Sequence, residues 1–416
     1  MFRTLRQEFD LTAPVCAGYL ESADRNSRPG PVSPPSGRHA AEYLLVARCV
    51  FFPAEEVRLT IATPSPVRGR HSQPSDYAAL LSLVQAQGLM RRRYLYYSVK
   101  IALLLGALAA LAVGFFLLGD SWFQLILAGA VGILLTQFGF LGHDAAHRQI
   151  FSSGPANEML ASVVGGLLVG MSSTWWTKKH TRHHAAPNQI GKDPDIAPTI
   201  IRFYPPDSGQ RSRLMAFVTA HQGWWFFPVL IFEGINLHQQ SVRTLLARGH
   251  IKRRWLELSL LSVRIFGYLA LLFVFLPAGL AFGFLAVQLS VFGVYLGCSF
   301  APNHKGMPLV PRDMSIDFLR RQVLMSRNVG DGRAVTFLLG GLNFQIEHHL
   351  FPSMPRPTLR RAKPIVLEFC RSRSVTYTDV GLFRSYGIVV RYLNRVGLRA
   401  RDPFQCPLVA AYRLQG

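Results

Sequence analysis

Residues 101–118 read IALLLGALAALAVGFFLL, a run without one polar side chain. A helix crosses the roughly 30 Å hydrocarbon core of a bilayer with about 20 mostly apolar residues, so this run predicts a membrane span. Residues 121–141, SWFQLILAGAVGILLTQFGFL, are also uncharged and predict a second span, returning after the turn at Gly119–Asp120. A longer uncharged stretch, residues 265–302 with its upstream flank, predicts two more, divided at Pro277–Gly279. Four spans in a 416-residue chain, half of it hydrophobic, make the fold class all-α integral membrane. Twelve uncharged residues between Arg264 and Pro277 are too few for a span, so the third helix must either start nearer Trp255 or run past the proline, and the first alternative is taken. That start puts Glu257 in the interface and makes Arg264 snorkel towards the cytosol.

The formal net charge of +22 raises nucleic acid as a partner. The basic residues form no aromatic-interleaved patch, however. They stand beside the apolar runs, at Arg91–Arg93 and Lys252–Arg254, while the turns at 119–120 and 277–279 have none. Lysine and arginine are retained on the cytoplasmic side of membrane proteins, which sets the orientation and points to membrane lipid rather than nucleic acid. The basic segment LRRAKPIVLEFCRSRS (359–374) reads the same way, as attraction to anionic lipid. Five cysteines (16, 49, 298, 370 and 406) are odd in number and scattered, which predicts no disulfide framework and a reducing compartment.

The segment RNSRPGPVSPPSGRH has the composition of a disordered linker. MFRTLRQEFD lacks the compact apolar core of a signal peptide. Residues 1–85 are accordingly read as an N-terminal tail, 86–400 as one membrane domain and 401–416 as a C-terminal tail. Two apolar segments, MLASVVGGLLVGM (159–171) and GWWFFPVLIFEGI (223–235), are too short to span and predict re-entrant or interfacial helices.

Eight of the thirteen histidines fall in four groups. HDAAH (143–147) spaces two at i, i+4, which share a helix face. HTRHH (180–184) places three on one face, and QIEHH (345–349) repeats that spacing with Gln345 first. His304 stands alone in PNHKG after the fourth span. An even number of crossings separates the first group from the last, so the groups share a side, and the arginines make it the cytoplasmic one. A single HxxxH pair at a span's end is more often a wet interfacial pair than a metal site. Three helix-face groups and an isolated histidine on one side are hard to explain that way. Imidazole suits zinc, copper, iron and nickel, and no cysteine lies near to complete a structural zinc site. Eight imidazoles suit two ions, and two irons sharing the electron load of dioxygen reduction are able to break an unactivated C–H bond. Asp144 and Glu347 are candidates to orient the imidazoles, whereas Asp193 and Asp195 in GKDPD read more readily as helix caps or solvent-facing charges. Trp175–Trp176 are read as anchors at the membrane boundary, and Cys298 as a packing residue.

At these residues the sequence resembles the membrane fatty acid desaturases. HDAAH, HTRHH and QIEHH are similar to that family's three histidine boxes in order and spacing, and SFAPNHKGMP, NQIGKDPDI and GLNFQIEHHLFPSMPR support the match over about residues 80–398. The resemblance implies four transmembrane helices under a cytosolic helical cap that encloses a histidine-ligated di-iron centre. It implies oxygen-dependent desaturation of an acyl-CoA or membrane-lipid acyl chain. Carried over by residue, the metal-binding and catalytic histidines are His143, His147, His180, His183, His184, His304, His348 and His349. Gln345 stands where other branches have a further histidine, and is read as a weak ligand or a residue behind the ligands. Glutamine there resembles the branch acting towards the carboxyl end of the acyl chain. That branch often carries a fused haem domain with an HPGG motif. HPGG is missing from this sequence, so the expected electron donor is a separate ferredoxin or flavin reductase. The rival readings are a di-iron lipid hydroxylase and a zinc-dependent membrane lipid hydrolase.

Overall fold

The computed structural model describes residues 75–198, 200–204 and 213–397. Helix α1, Asp76–Ala86, buries Leu80 and Val84. The end of the segment read as tail is therefore part of the folded body. The rest of that tail, residues 1–74, and the C-terminal tail at 401–416 lie outside the described residues.

The long apolar runs become α2 (Tyr94–Leu118) and α3 (Gln124–Ala146). The next apolar segment forms α4 (Gly154–Val163), which runs on as a π-helical turn, Val164–Val169, before α5 (Ser173–Ala185) leaves at 113°. Helices α6 (Arg213–Ala220), α7 (Gln222–Val229) and α8 (Glu233–Leu246) include a second bent pair, at 77°. Then α9 (Arg254–Ser262) continues through a π-helical turn at Val263–Gly267 into α10 (Tyr268–Phe275), one continuous span of 22 residues. Helix α11 (Ala278–His304) is the last long one. Among the described residues, four helices are long and apolar enough to cross a membrane: α2, α3, α9–α10 and α11. This is the expected number, and the third starts at Arg254, beside the expected Trp255.

The spans are unequal. In their most apolar windows α3 is 50 % buried and α11 39 %, against 11 % for α2 and for α9–α10. So α3 and α11 form the centre, and the outer two turn side chains such as Leu103, Leu117, Phe266 and Val274 outward. A β-carbon on Gly132 would lie 2.8 Å from the Gln288 carbonyl, so the α3–α11 crossing is set by this glycine. Gly132 faces Gln288 and Gly139 faces Leu296, so the two helices run in the same direction and carry His143 and His304 at the same end.

Beyond α11 the chain is short helices: α12 (Phe318–Leu324), α13 (Arg333–Leu338), α14 (Gln345–Leu350), α15 (Arg356–Ser372) and α16 (Leu382–Gly397). Strands β1 (Asn328–Val329) and β2 (Asp379–Val380) pair in parallel. Leu80, Val84, Val323, Ile346, Leu350, Leu359 and Val366 share one apolar cluster, which joins α1, α12, α14 and α15 into a layer behind the third histidine group.

Two expectations about the third span are corrected. Arg264 does not snorkel: it is 9 % exposed, its Nε donates to the Leu168 carbonyl at 2.9 Å, and its guanidinium lies 4.0 Å from the Tyr268 ring centre. Glu257 is 3 % exposed and accepts from Ser172 and Thr174. Both side chains find polar partners inside the protein, and the short route to a paired group outcompetes the long route to water.

Candidate metal centre

Each histidine group sits where a helix ends. His143 occupies the last turn of α3, and His147 caps it. Helix α5 starts on Ser172, whose Oγ accepts from the Trp175 amide, and stops before Pro187, which cannot continue a helix. Its 3.6-residue repeat turns His180 and His183 inward. His304 is the final residue of α11, and α14 carries Gln345, Glu347, His348 and His349, all buried.

The eight histidines converge. Ligand nitrogens of His143, His147, His180 and His348 lie within 4.8 Å of one another, as do those of His183, His304 and His349. His184 bridges the two sets, its ring centre 4.7 Å from that of His147 and stacked 4.1 Å from that of His349. The Nε2 atoms of His183 and His304 are 3.2 Å apart, and those of His184 and His180 are 3.0 Å apart.

The surroundings choose the tautomers. His304 Nδ1 lies 2.9 Å from the Met325 carbonyl, which only accepts, so Nδ1 carries the proton and Nε2 keeps its lone pair. His349 Nδ1 meets Gln322 Oε1 at 2.9 Å, and the Gln322 amide is oriented by donating to the His184 carbonyl. His183 Nδ1 lies 3.0 Å from both Asp193 oxygens. His143 Nδ1 is 3.5 Å from Asp144, whose carboxylate pairs with Arg356 at 2.7 Å. Arg356 also donates to the Phe140 carbonyl, and its backbone amide reaches Tyr97 and Gln149, so the first histidine group is braced from α15. Glu347 is held by Tyr377 and Asn328 at 2.6 and 2.8 Å, a brace linked to the β1–β2 pair.

Burial, followed by neighbouring imidazoles, holds His147, His348 and His349 well below the ordinary 6.5, hence neutral, the form that binds metal. Burial pushes the Asp193 carboxyl up, but the His183 imidazole and its hydrogen bond win and hold it low. Burial pushes Glu347 up despite its two hydrogen bonds. The test of fit is the other end of the rings. His143 Nε2, His147 Nε2, His184 Nδ1, His348 Nε2 and His349 Nε2 are buried with no hydrogen-bond partner. An unsatisfied buried polar atom costs about 1–3 kcal/mol, and five in one cluster are relieved together by cations within their reach. The cluster is fit to hold metal.

Two sequence readings change here. Asp193 does cap its turn, accepting from the Asn188 and Asp195 amides, but the same carboxylate also orients His183. Trp176 reaches the site itself: its ring stacks 4.3 Å from that of His180 and meets His143 edge-on. Gln345 Nε2 lies 2.9 Å from His304 Nε2, the nitrogen that keeps its lone pair, so this amide reaches the ligand side of the ring. Sequence reasoning missed Gln322, the Met325 carbonyl and Arg356, which carry no local signal because their partners lie far along the chain. A small cavity opens against His143, with Phe138, Gly139 and Gly142 of α3 on one side and Val164, Gly165 and Trp176 on the other.

A bundle of four apolar helices, two of which end in a histidine cluster fit to hold metal, defines a class of membrane protein. The family model described as fatty acid desaturase matches residues 120–381. Delta(8)-fatty-acid desaturase 2 of Arabidopsis thaliana is 28 % identical over 79 % of this chain and 76 % of its own. Delta(6)-fatty-acid desaturase fat-3 of Caenorhabditis elegans is 28 % identical over 77 % and 74 %. The acyl-lipid (9-3)-desaturase of Borago officinalis is 30 % identical over 65 % of this chain and 63 % of that protein, so this chain spans under two thirds of some relatives. The chain belongs to the fatty acid desaturase family. It is an oxidoreductase that desaturates a lipid acyl chain, with electrons from a donor.

Proposed function

We propose that this chain inserts a double bond near the carboxyl end of an acyl chain, at two irons held by His143, His147, His180, His183, His184, His304, His348 and His349 on the cytoplasmic face. The observation that carries the reading is the convergence of orphaned imidazole nitrogens from all three helix-face groups. Gln345 in the third group supports the carboxyl-side position, as do the names of relatives that act at Delta(8) and Delta(6). Residues 86–400 are the catalytic domain in this reading. The overall change is –CH2–CH2– + O2 + 2 e⁻ + 2 H⁺ → –CH=CH– + 2 H2O. Bound iron supplies dioxygen reduction and removal of hydrogen from unactivated carbon.

The protein's own part is placement. Asp193, Gln322, Asp144 and the Met325 carbonyl fix the imidazoles from behind. The cavity beside His143 offers apolar walls to methylenes. The donor is a separate carrier of ferredoxin or flavin-reductase type. Exposed Arg148, Lys178 and Arg182, close in sequence to the part-exposed His147 and His184, support an acidic docking face on it. The test is expression in a desaturase-deficient host with a donor supplied, followed by gas chromatography–mass spectrometry. A new olefinic acid that disappears in His183→Ala is the expected result. A hydroxylated product, or zinc without iron in the purified protein, overturns the reading.

A further inference from the structure

Two charged side chains of the third span lie outside the histidine cluster, and neither is used by the chemistry above. Glu257 and Arg264 are seven residues apart, about two helical turns, and so lie on one face of α9–α10. That face meets the bend between α4 and α5.

A bend of 113° breaks the backbone hydrogen-bond ladder at Gly170–Ser172. Broken backbone at membrane depth is tolerated only where the protein supplies partners. Here it does. Arg264 Nε donates to the Leu168 carbonyl at 2.9 Å, covering an acceptor on the near side of the break. On the far side, the Ser172 amide donates to Ser241 Oγ of α8 at 2.9 Å, while that hydroxyl donates its own proton to Leu237. Glu257 takes the rest: the Ser172 and Thr174 hydroxyls at 2.6 Å each and the Thr174 amide at 3.1 Å. The Ser172 oxygen in turn accepts from the Trp175 amide. Gly170 turns the corner at φ +84°, where a β-carbon would fall 2.3 Å from His238 Nε2, so the corner has no slack for a side chain.

We propose that Glu257, supported by Arg264 and Ser241, is a positioning residue for the second histidine group. It grips the N-terminus of α5, and α5 carries His180, His183 and His184 as a rigid lever. This rests on the reading that these histidines hold the metal. His184 lies ten residues beyond Thr174, about 15 Å along the helix. A tilt of about 5° at the grip therefore moves it by about 1.3 Å, more than the roughly 0.5 Å that a functional site tolerates. The carboxylate's negative charge also suits the positive end of the α5 dipole.

The experiment compares wild type, Glu257→Ala, Glu257→Gln and Leu261→Ala, full chain in lipid nanodiscs loaded with iron. Leu261 is buried on the same helix, one turn further on, and serves as a destabilised control that leaves the grip intact. Hydrogen exchange of residues 172–185 and iron per chain are measured, then kcat and KM. In Glu257→Ala the Thr174 and Trp175 amides should exchange at least about tenfold faster, iron per chain should drop, and kcat should fall with KM unchanged. Glu257→Gln keeps an acceptor oxygen and should recover part of each. Leu261→Ala should lower the melting temperature and keep both the α5 exchange pattern and the iron. Wild-type exchange in Glu257→Ala overturns the proposal. So does loss of iron in Leu261→Ala equal to that in Glu257→Ala at equal melting shift, since the effect would then be general instability. A wild-type protein that binds no iron sinks the metal reading instead, and the exchange data still report whether Glu257 holds α5.

Discussion

Asp193→Asn removes one charge and one acceptor from the most heavily used carboxylate in the site. Its Oδ2 accepts the Asn188 amide at 2.7 Å and its Oδ1 the Asp195 amide at 2.8 Å, while both oxygens stand 3.0 Å from His183 Nδ1. Asparagine has one oxygen. Whichever way its amide turns, the NH2 group faces a backbone N–H head-on, so one donor is left unpaired at a cost of about 1–3 kcal/mol. The His183 ring loses a charged partner at the same time, and a lost partner behind a metal-binding histidine typically lowers affinity 10–100-fold, about 1.4–2.8 kcal/mol. The loss should fall on the set containing His183, His304 and His349 and spare the set around His143, because Asp193 touches only the former. Iron retained per chain, measured by elemental analysis across a chelator series, should pass through a plateau at about half the wild-type value. Asp195→Asn is the comparison. Its carboxylate is 3.5 Å from His183 and paired with Lys179 at 2.6 Å, so its effect should be smaller. Retention like wild type in Asp193→Asn, or a larger loss in Asp195→Asn, refutes the reasoning.

Arg356→Met leaves the Asp144 carboxylate buried without its cation. Breaking one side of such a pair costs about 3–5 kcal/mol by denaturation in detergent, and Asp144→Asn added to it should return part of that; a loss under about 1 kcal/mol contradicts the pairing. A β-carbon on Gly142 would meet Val164 at an ordinary 3.5 Å, so Gly142→Ala should fold normally while narrowing the cavity beside His143. The acyl-chain product profile should shift, and an identical profile removes the cavity from the substrate path. Burial pushes the Cys370 thiol up to about 12, which leaves about one part in a thousand ionised at pH 9, against half for an ordinary thiol of 9.0. Peptide mass spectrometry after iodoacetamide at pH 9 should find Cys370 unmodified until the protein is unfolded, and prompt labelling of the native protein counts against its place in the core.

The four spans were legible in the sequence because an uninterrupted apolar run of bilayer length has only one stable environment. The histidine groups were legible for a local reason too: spacings of three and four put side chains on one helix face whatever surrounds the helix. Only the tertiary structure decided what stands behind the imidazoles. Gln322 reaches His349, the Met325 carbonyl reaches His304, and Arg356 reaches Asp144 across 212 positions of sequence; none of these pairings leaves a periodic trace. The same holds for Glu257 and Arg264. From the sequence, an arginine in a span has water as its nearest satisfying partner, and snorkelling follows. In the fold, the bend after α4 exposes a carbonyl closer than water, and the charges turn inward. Local patterns record what a residue would choose alone, whereas hydrogen-bond partners in a low-dielectric interior are chosen by which distant backbone groups the packing leaves open.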